Sequence, residues 1–275
     1  MTATVPNRIA SPTITWPLLP DDFDLPDDPV ENETQPLLAA ALTQSFASLP
    51  ELAKDALIVS DFALCAGING RTVCKAPDWM YVAPVQPADY IRRSYTPHTQ
   101  GVIPPVVMEF LSESDCGEYS MQMARPGKAE HKTGKWHFYE RIIEVPRYMI
   151  FDPVSAELEV YALRNNRYER ETADAQGRYL IPGLNLYLGI WEGTHEIRTG
   201  IWLRWWTIDG DLVLWQEERA QQAESKAQEA ESKAQEAESK AQEAESKAQA
   251  AKAEAEKERR EKEVLLAKLK AAGLS

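Results

Sequence analysis

The stretch PPVVMEFLS, residues 104–112, decides the fold class of this chain. Its large apolar side chains surround a single acid, Glu109. A strand that is apolar on both faces is normally covered on both faces of a sheet. A carboxylate at such a position is costly unless a cation or an ion-pair partner compensates its charge. Glu109 is therefore predicted to be a metal ligand, the alternatives being a buried ion pair or a strand at the surface.

Short apolar runs on both sides of this stretch predict further strands, because they are bounded by Gly, Pro, Asn and Asp. These runs are residues 56–68, 72–85, 147–154 and 158–163. Apolar residues at three- and four-residue spacing from Leu37 to Leu49 predict an amphipathic helix, and a second helix is predicted from Lys135 to Ile143. The proline-rich residues 86–105 are expected to form a loop over the sheet. The predicted fold class is α/β, with a mixed sheet flanked by helices.

Length and composition predict one globular domain with an appendage. The 275 residues are 44% hydrophobic, which is enough for one core of about 200 residues. We expect an irregular lead-in over residues 1–29, a domain over residues 30–216 and a helical tail over residues 217–275. No apolar run reaches the roughly 18 residues of a membrane helix, and the N-terminus lacks the features of a signal peptide. A cytoplasmic protein with no membrane partner is expected.

The three cysteines, Cys65, Cys74 and Cys116, are odd in number and lack a paired metal-ligand spacing. Neither a disulfide framework nor a structural zinc is indicated by this pattern. They are predicted to be free thiols, since unpaired cysteine is commonly a small buried side chain.

The charge distribution limits how the chain could bind nucleic acid. The net charge is −13 at pH 7, and most of it lies in residues 1–216. Proteins that neutralise many phosphates usually show a basic stripe. The local basic clusters here are Arg92 with Arg93 and the segment 125–135. Nucleic-acid contact is therefore expected either on a small basic rim or with an affinity that is weak without metal.

Asp78 and Lys135 are the residues best suited to act together with Glu109. Asp78 follows Pro77, which favours the start or edge of a strand, beside a cleft. Lys135 begins the second predicted helix, with Tyr139 four residues later on the same face. Two carboxylates and one ammonium group suit a nuclease, which must hold a divalent metal and stabilise charge on a phosphodiester under attack. Phosphodiester cleavage is the leading hypothesis.

Each of these residues also has an ordinary structural interpretation. Asp78 would then be a solvated aspartate at a strand end, and Lys135 a surface lysine, with Lys128 and Lys132 as competing candidates. Glu31, at the start of the first predicted helix, is favoured there by the helix dipole in any case. The sequence shows neither the motif of a serine or cysteine hydrolase nor a glycine-rich phosphate-binding loop.

Taken in order, these segments resemble the Uma family of restriction-endonuclease-like proteins, a branch of the PD-(D/E)XK nuclease superfamily. The resemblance runs from about Leu18 to about Glu218. It is carried by DPVENETQPLLAAAL, APDW, VVMEFLS, GKWHFYE and VPRYMIFDP, and then by LEVYAL, RYE, YLIPGLNLYLGIWEG and IWLRWW. The resemblance implies a restriction-endonuclease-like fold and a metal-dependent endonuclease that acts on nucleic acid, DNA in the first place.

The same resemblance implies roles for individual residues. Asp78 and Glu109 would hold Mg²⁺, or Mn²⁺ in its place, Lys135 would be catalytic, and Glu31 would be an accessory metal ligand. The chain departs from the family pattern in the loop after the glutamate strand. It also has Leu111 at the position of the usual superfamily lysine. The alternative is a catalytically inactive nuclease-fold protein that acts as a nucleic-acid or protein scaffold through its tail.

The tail is built from a repeated heptad. From Ala223 the unit AESKAQE occurs three times and is followed by AESKAQA. Its alanines recur at steps of four and three residues, which is the period of a coiled coil, and the register continues through Leu265 and Leu269. A homo-oligomer joined through this coiled coil is predicted, the alternative being a lone helix stabilised by Glu–Lys pairs.

Overall fold

The computed structural model describes residues 33–68, 71–112, 117–122 and 133–271. Its α-helices are α1 (Gln35–Gln44), α2 (Pro50–Ala53), α3 (Lys135–His137) and α4 (Gln216–Ala271). A 3₁₀ turn covers Ser45–Ser48, and α3 continues as a π-helix over Phe138–Ile143. The strands are β1 (Leu57–Val59), β2 (Ala63–Ile68), β3 (Arg71–Lys75), β4 (Trp79–Val82), β5 (Ser94–Tyr95), β6 (Val106–Phe110), β7 (Arg147–Asp152), β8 (Glu157–Arg164), β9 (Arg167–Arg170), β10 (Arg178–Ile181), β11 (Leu186–His195) and β12 (Arg198–Trp206).

The first predicted helix is present but divided. Pro36 lies in the first turn of α1, where its missing N–H removes no intrahelical bond. Leu38 and Leu42 are buried on one face of α1. The helix ends at Gln44, and the 3₁₀ turn and α2 take up the remaining residues to Ala53.

Six strands form the main sheet, in the order β1-β4-β6-β7-β8-β9. β6 and β7 are parallel, whereas the other neighbouring strands are antiparallel. All five residues of β6 are buried, as expected of a strand covered on both faces. The predicted α/β fold, with a mixed sheet flanked by helices and a long C-terminal helix, is confirmed.

The main sheet separates two apolar layers. Met108 and Phe110 belong to the layer shared with α1 and with the small sheet β10-β11-β12. Val107 belongs to the layer on the opposite face, together with Phe138 from the continuation of α3. Because side chains alternate along a strand, Glu109 faces this second layer.

The residues predicted to form a loop, 86–105, contain one short strand. β5 pairs in parallel with β2 in a third sheet, of order β3-β2-β5, and Tyr95 is fully buried. The loop prediction is therefore wrong at Ser94 and Tyr95, where pairing to β2 outweighs the proline-rich composition of the segment.

Cys65 and Cys74 form a disulfide that joins β2 to β3. They are directly opposite in the antiparallel register, with Cα atoms 4.1 Å apart. The prediction of free thiols is wrong for this pair, because the hairpin register brings the two together and the sequence spacing alone does not reveal it. Cys116 lies outside the described residues. Disulfides persist chiefly in oxidising compartments, so this pair counts against the cytoplasmic expectation, which stays a prediction.

Helix α4 is anchored at its first turn and exposed beyond it. The fully buried guanidinium of Arg204 donates to both carboxylate oxygens of Glu218, at 3.1 and 2.6 Å, and lies 3.3 Å from the centre of the Trp215 ring. Arg219 donates to the main-chain oxygen of Ala47 at 2.7 Å. From residue 219 to residue 271 every residue is exposed. Within the described ranges, no helix combines the length and apolar character needed to cross a bilayer.

Candidate active site

Asp78 and Glu109 meet on one face of the main sheet. In the antiparallel register of β4 and β6, Trp79 is opposite Met108, so Asp78, the residue before β4, comes opposite Glu109. Side chains at directly opposite positions lie on the same face, with Cβ atoms about 4.5–5.5 Å apart. The main-chain N–H of Phe110, the residue after Glu109, donates to Asp78, and the two carboxyl groups are close enough for each to affect the pKa of the other. Two acids far apart in sequence therefore share one site.

Two side chains from α3 and its continuation compensate the burial of Glu109, which has no exposed surface. Lys135 Nζ donates to Glu109 Oε2 at 2.8 Å, and the Tyr139 hydroxyl donates to Oε1 at 2.8 Å. Lys135 and Tyr139 are four residues apart, a spacing that places helical side chains on one face. The helix changes from α to π geometry between them, and such wider turns are frequent at functional sites.

Glu118 is a third acid in this cluster, and the sequence did not predict it. It is buried, and its Oε1 accepts a bond from Lys135 Nζ at 3.1 Å. Gly134 permits this approach, because a Cβ at this position would come within 2.0 Å of the Ser120 main-chain oxygen. Only glycine lets the segment 117–122 pack so closely against the start of α3. Glu118 has no periodic apolar neighbours that would have marked it as buried.

The cluster contains more acid than its single ammonium group can balance. Burial raises the pKa of Glu109 to about 8, although the Lys135 ammonium opposes the shift and repulsion from Asp78 adds to it. Burial also raises the pKa of Asp78, against the hydrogen bond from Phe110 and the charge of Lys135. Burial alone would lower the pKa of Lys135, but the neighbouring Glu109 carboxylate raises it above its ordinary value. Carboxyl groups that share a site in this way retain a proton unless a cation replaces it.

The donor chemistry of the carboxyl pair fits Mg²⁺. Among the described residues, no three His, Cys, Asp or Glu side chains form a group that would hold a metal ion. Mg²⁺, however, is usually bound by one or two carboxylates, with water and substrate phosphates as the remaining ligands. Asp78 and Glu109 provide such oxygens in a site that is short of positive charge. Glu31, the predicted accessory ligand, lies outside the described residues, as do Lys128 and Lys132.

The structure brings together Asp78, Glu109 and Lys135, the three residues that the sequence predicted for a nuclease site. Residues 26–195, more than half of the chain, match the family Uma2, described as "Putative restriction endonuclease". The chain belongs to this family, which confirms the resemblance found in the sequence.

Similarity beyond the family is distant. One similar solved structure is a putative nuclease belonging to DUF820 from Anabaena variabilis ATCC 29413, with 12% identity and a TM-score of 0.33. The match covers 56% of this chain and 74% of that one. No curated protein matches the chain.

Proposed function

We propose that the protein is a metal-dependent endonuclease that hydrolyses phosphodiester bonds, with DNA as its substrate. The observation that carries this proposal is the buried Glu109 carboxyl group, which accepts bonds from Lys135 and Tyr139 and lies opposite Asp78. A fold gains no stability from a buried acid that must be compensated on several sides. Perturbed acids of this kind are concentrated at functional sites.

Asp78 and Glu109 would hold Mg²⁺, with Mn²⁺ as a substitute. When bound, the ion polarises the scissile phosphodiester and lowers the pKa of a coordinated water. The pairing of β4 with β6 holds the two carboxyl groups side by side. The Phe110 N–H orients Asp78, and the Tyr139 hydroxyl orients Glu109. These contacts prepare the oxygen donors before substrate arrives, so little reorganisation accompanies the reaction.

Lys135 would act on the reacting phosphate from beside the carboxyl pair. Its pKa lies above the ordinary lysine value, so it stays protonated throughout the neutral range. Its Nζ is held by Glu109 and Glu118, at 2.8 and 3.1 Å. From there the ammonium group would orient the attacking water or stabilise the negative charge that develops on the phosphate. It would take the place of the lysine that the superfamily usually has at the position of Leu111.

The acidic composition supports a substrate affinity that depends on metal. The net charge of −13 opposes phosphate binding over a broad surface. Arg93, which is exposed in the segment before β5, would supply part of a small basic rim. The choice of DNA over RNA rests on the description of the family as restriction endonucleases.

Nicking of supercoiled plasmid with Mg²⁺ or Mn²⁺ tests the proposal. Wild type should nick, and Asp78→Asn and Glu109→Gln should not. Glu157→Gln is a matched control, because Glu157 is an exposed glutamate on β8, which is separated from β6 by β7. RNA of the same sequence, offered in parallel, tests the choice of substrate. Absence of nicking by wild type, or full nicking by Glu109→Gln, would overturn the enzyme proposal.

We also propose that α4 joins copies of the chain into an oligomer. Its heptad alanines and the apolar residues near its end are exposed along the whole helix. Sedimentation of the full chain over a range of concentrations should show association, and a monomer at all concentrations would contradict this part of the proposal.

A further inference from the structure

We infer that α4 pairs with α4 of a second copy as a parallel two-stranded coiled coil. The inference rests on the self-association proposed above and does not require nuclease activity. It adds the direction of pairing, which the period of the alanines does not determine.

The heptad positions follow from the alanines. When these occupy positions a and d, each AESKAQE unit places its first glutamate at e and its lysine at g, the two positions that flank the seam. The e glutamates are Glu224, Glu231, Glu238 and Glu245. The g lysines are Lys226, Lys233, Lys240 and Lys247. All are exposed, and three of the lysines contact glutamates only one turn earlier on their own helix.

A parallel pair makes use of this pattern over most of the helix. In parallel coiled coils, charges at g and e of facing helices form the salt bridges that set orientation, each g residue lying near the e residue of the following heptad. The attractive pairs are Lys226 with Glu231, Lys233 with Glu238, Lys240 with Glu245 and Glu254 with Arg259. A single repulsive pair, Lys247 with Lys252, occurs where the charge pattern of the repeats changes.

An antiparallel pair uses the pattern less well. There, g faces g and e faces e, so two fully overlapping helices would bring Lys240 near Lys247 and Glu238 near Glu245 at their centre. Complementary pairs such as Lys233 with Glu254 and Glu231 with Lys252 form on either side of this repulsive centre. The balance of attraction and repulsion therefore favours the parallel direction.

The two ends of α4 favour the same direction. Leu265 and Leu269, at d and a, are 60% and 46% exposed, and a parallel pair buries each against its own counterpart. An antiparallel pair would instead bring these leucines to the first turns, where the body already binds Arg219 through the Ala47 oxygen. The partner helix would have to pass beside the body at that point.

Parallel pairing determines where the two bodies lie. Since Arg204, Glu218 and Trp215 fix the first turn of α4 to the body, both bodies would lie at the same end of the coiled coil. If the proposed nuclease function holds, two candidate sites are then available to one duplex, one for each strand.

Disulfide cross-linking of the full chain reports the direction. In a Cys116→Ser background, Ala230→Cys tests position d and Ala255→Cys tests position a. Parallel pairing predicts that each variant forms cross-linked dimers by itself and that a mixture gives no 230–255 link by mass spectrometry. The two positions are 25 residues apart, or about 37 Å along a helix. Parallel pairing therefore cannot link residue 230 to residue 255, and antiparallel pairing cannot link either position to its own counterpart.

Each other outcome is informative. A 230–255 link in the mixture, without cross-linking of either variant alone, would establish antiparallel pairing and overturn the inference. A monomer in sedimentation would overturn self-association and leave the nuclease proposal to the nicking assay. The background variant without added cysteine must give no cross-linked dimer, which controls for reaction of Cys65 and Cys74.

A charge substitution tests the flanking pairs. Lys233→Glu together with Lys240→Glu should raise the dissociation constant at least about tenfold, since several attractive pairs become repulsive. Four serines at f, on the outer face, provide a control with the same change in net charge when all are replaced by glutamate. These are Ser225, Ser232, Ser239 and Ser246. An equal rise in both variants, with helix content unchanged by circular dichroism, would overturn the role of the e and g charges.

Discussion

Charged side chains occur in two contrasting settings, the acid cluster around Lys135 and the Glu–Lys ladder of α4. The contacts have similar lengths, 2.8 Å for Lys135 with Glu109 and 2.6 Å for Lys240 with Glu236. Exposure separates them: the first pair is 14% and 0% exposed and the second 73% and 67%. Losing one partner costs about 3–5 kcal/mol in a buried pair but about 0.3–0.5 kcal/mol in an exposed helical pair. Contact length therefore does not reveal what an ion pair contributes.

The largest expected difference is between Lys135→Met and Lys240→Met. Lys135→Met should abolish nicking and lower the free energy of unfolding by about 3 kcal/mol, because it leaves Glu109 buried without its cation. Lys240→Met should change the free energy of unfolding of the body by less than about 0.5 kcal/mol. Denaturant unfolding followed by tryptophan fluorescence measures both. Equal losses in the free energy of unfolding would contradict the expected difference between the buried and the exposed ion pair.

The anchor of α4 should give the next largest effect. Glu218→Ala leaves the buried guanidinium of Arg204 with the main-chain oxygen of Val213, and we expect a loss of about 2 kcal/mol. Glu217→Ala, at the exposed neighbouring position, is the matched control and should cost less than about 0.5 kcal/mol. Thermal unfolding of the two variants measures the difference, and equal melting temperatures would show that the anchor contributes little.

Glu118→Gln should have an intermediate effect. Lys135 keeps its bond to Glu109, so we expect a loss of about 1 kcal/mol of stability. Nicking should fall but not disappear, because the lysine loses one of the two groups that position it. The nicking rate at saturating Mg²⁺ is the measurement. Complete loss of nicking in a well-folded variant would show that Glu118 belongs to the carboxyl set itself.

The smallest effect concerns His195, a buried histidine that stacks on Trp215 near the anchor of α4. Burial lowers its pKa below the ordinary value, so the folded chain binds this proton less readily than the unfolded chain. Stability should therefore fall as pH drops through about 6.5, by less than about 1 kcal/mol at pH 5.5. His195→Gln should reduce this slope, and His98→Gln, at an exposed position, should keep it. If His195→Gln leaves the pH dependence of stability unchanged, protonation of His195 is not its cause.

The sequence was informative where local pattern and burial coincide. An acid inside the apolar run of β6 and a Pro–Asp pair at the start of β4 each carry a physical cost or constraint that is readable from a few neighbours. Their antiparallel pairing places Asp78 opposite Glu109. The resemblance implied a catalytic role for Lys135, and the structure brings this lysine to Glu109. The roles of the three residues stay proposals.

The features that the sequence did not reveal depend on contacts between distant segments. Glu118 reaches Lys135 because Gly134 lets two backbone segments approach each other. The disulfide depends on the register of the β2–β3 hairpin. Arg204 is buried on β12, and the carboxylate that balances its charge comes from Glu218 in the first turn of α4. No local periodicity marks such partners.

We propose above all that Asp78 and Glu109 bind one divalent cation between them. A crystal structure of the protein soaked with Mn²⁺, with anomalous data, tests this directly. A shared ion would give one anomalous peak, with the ion about 2.0–2.6 Å from an oxygen of each carboxyl group. A well-occupied Mn²⁺ elsewhere, or none at this site at a concentration that supports nicking, would contradict it.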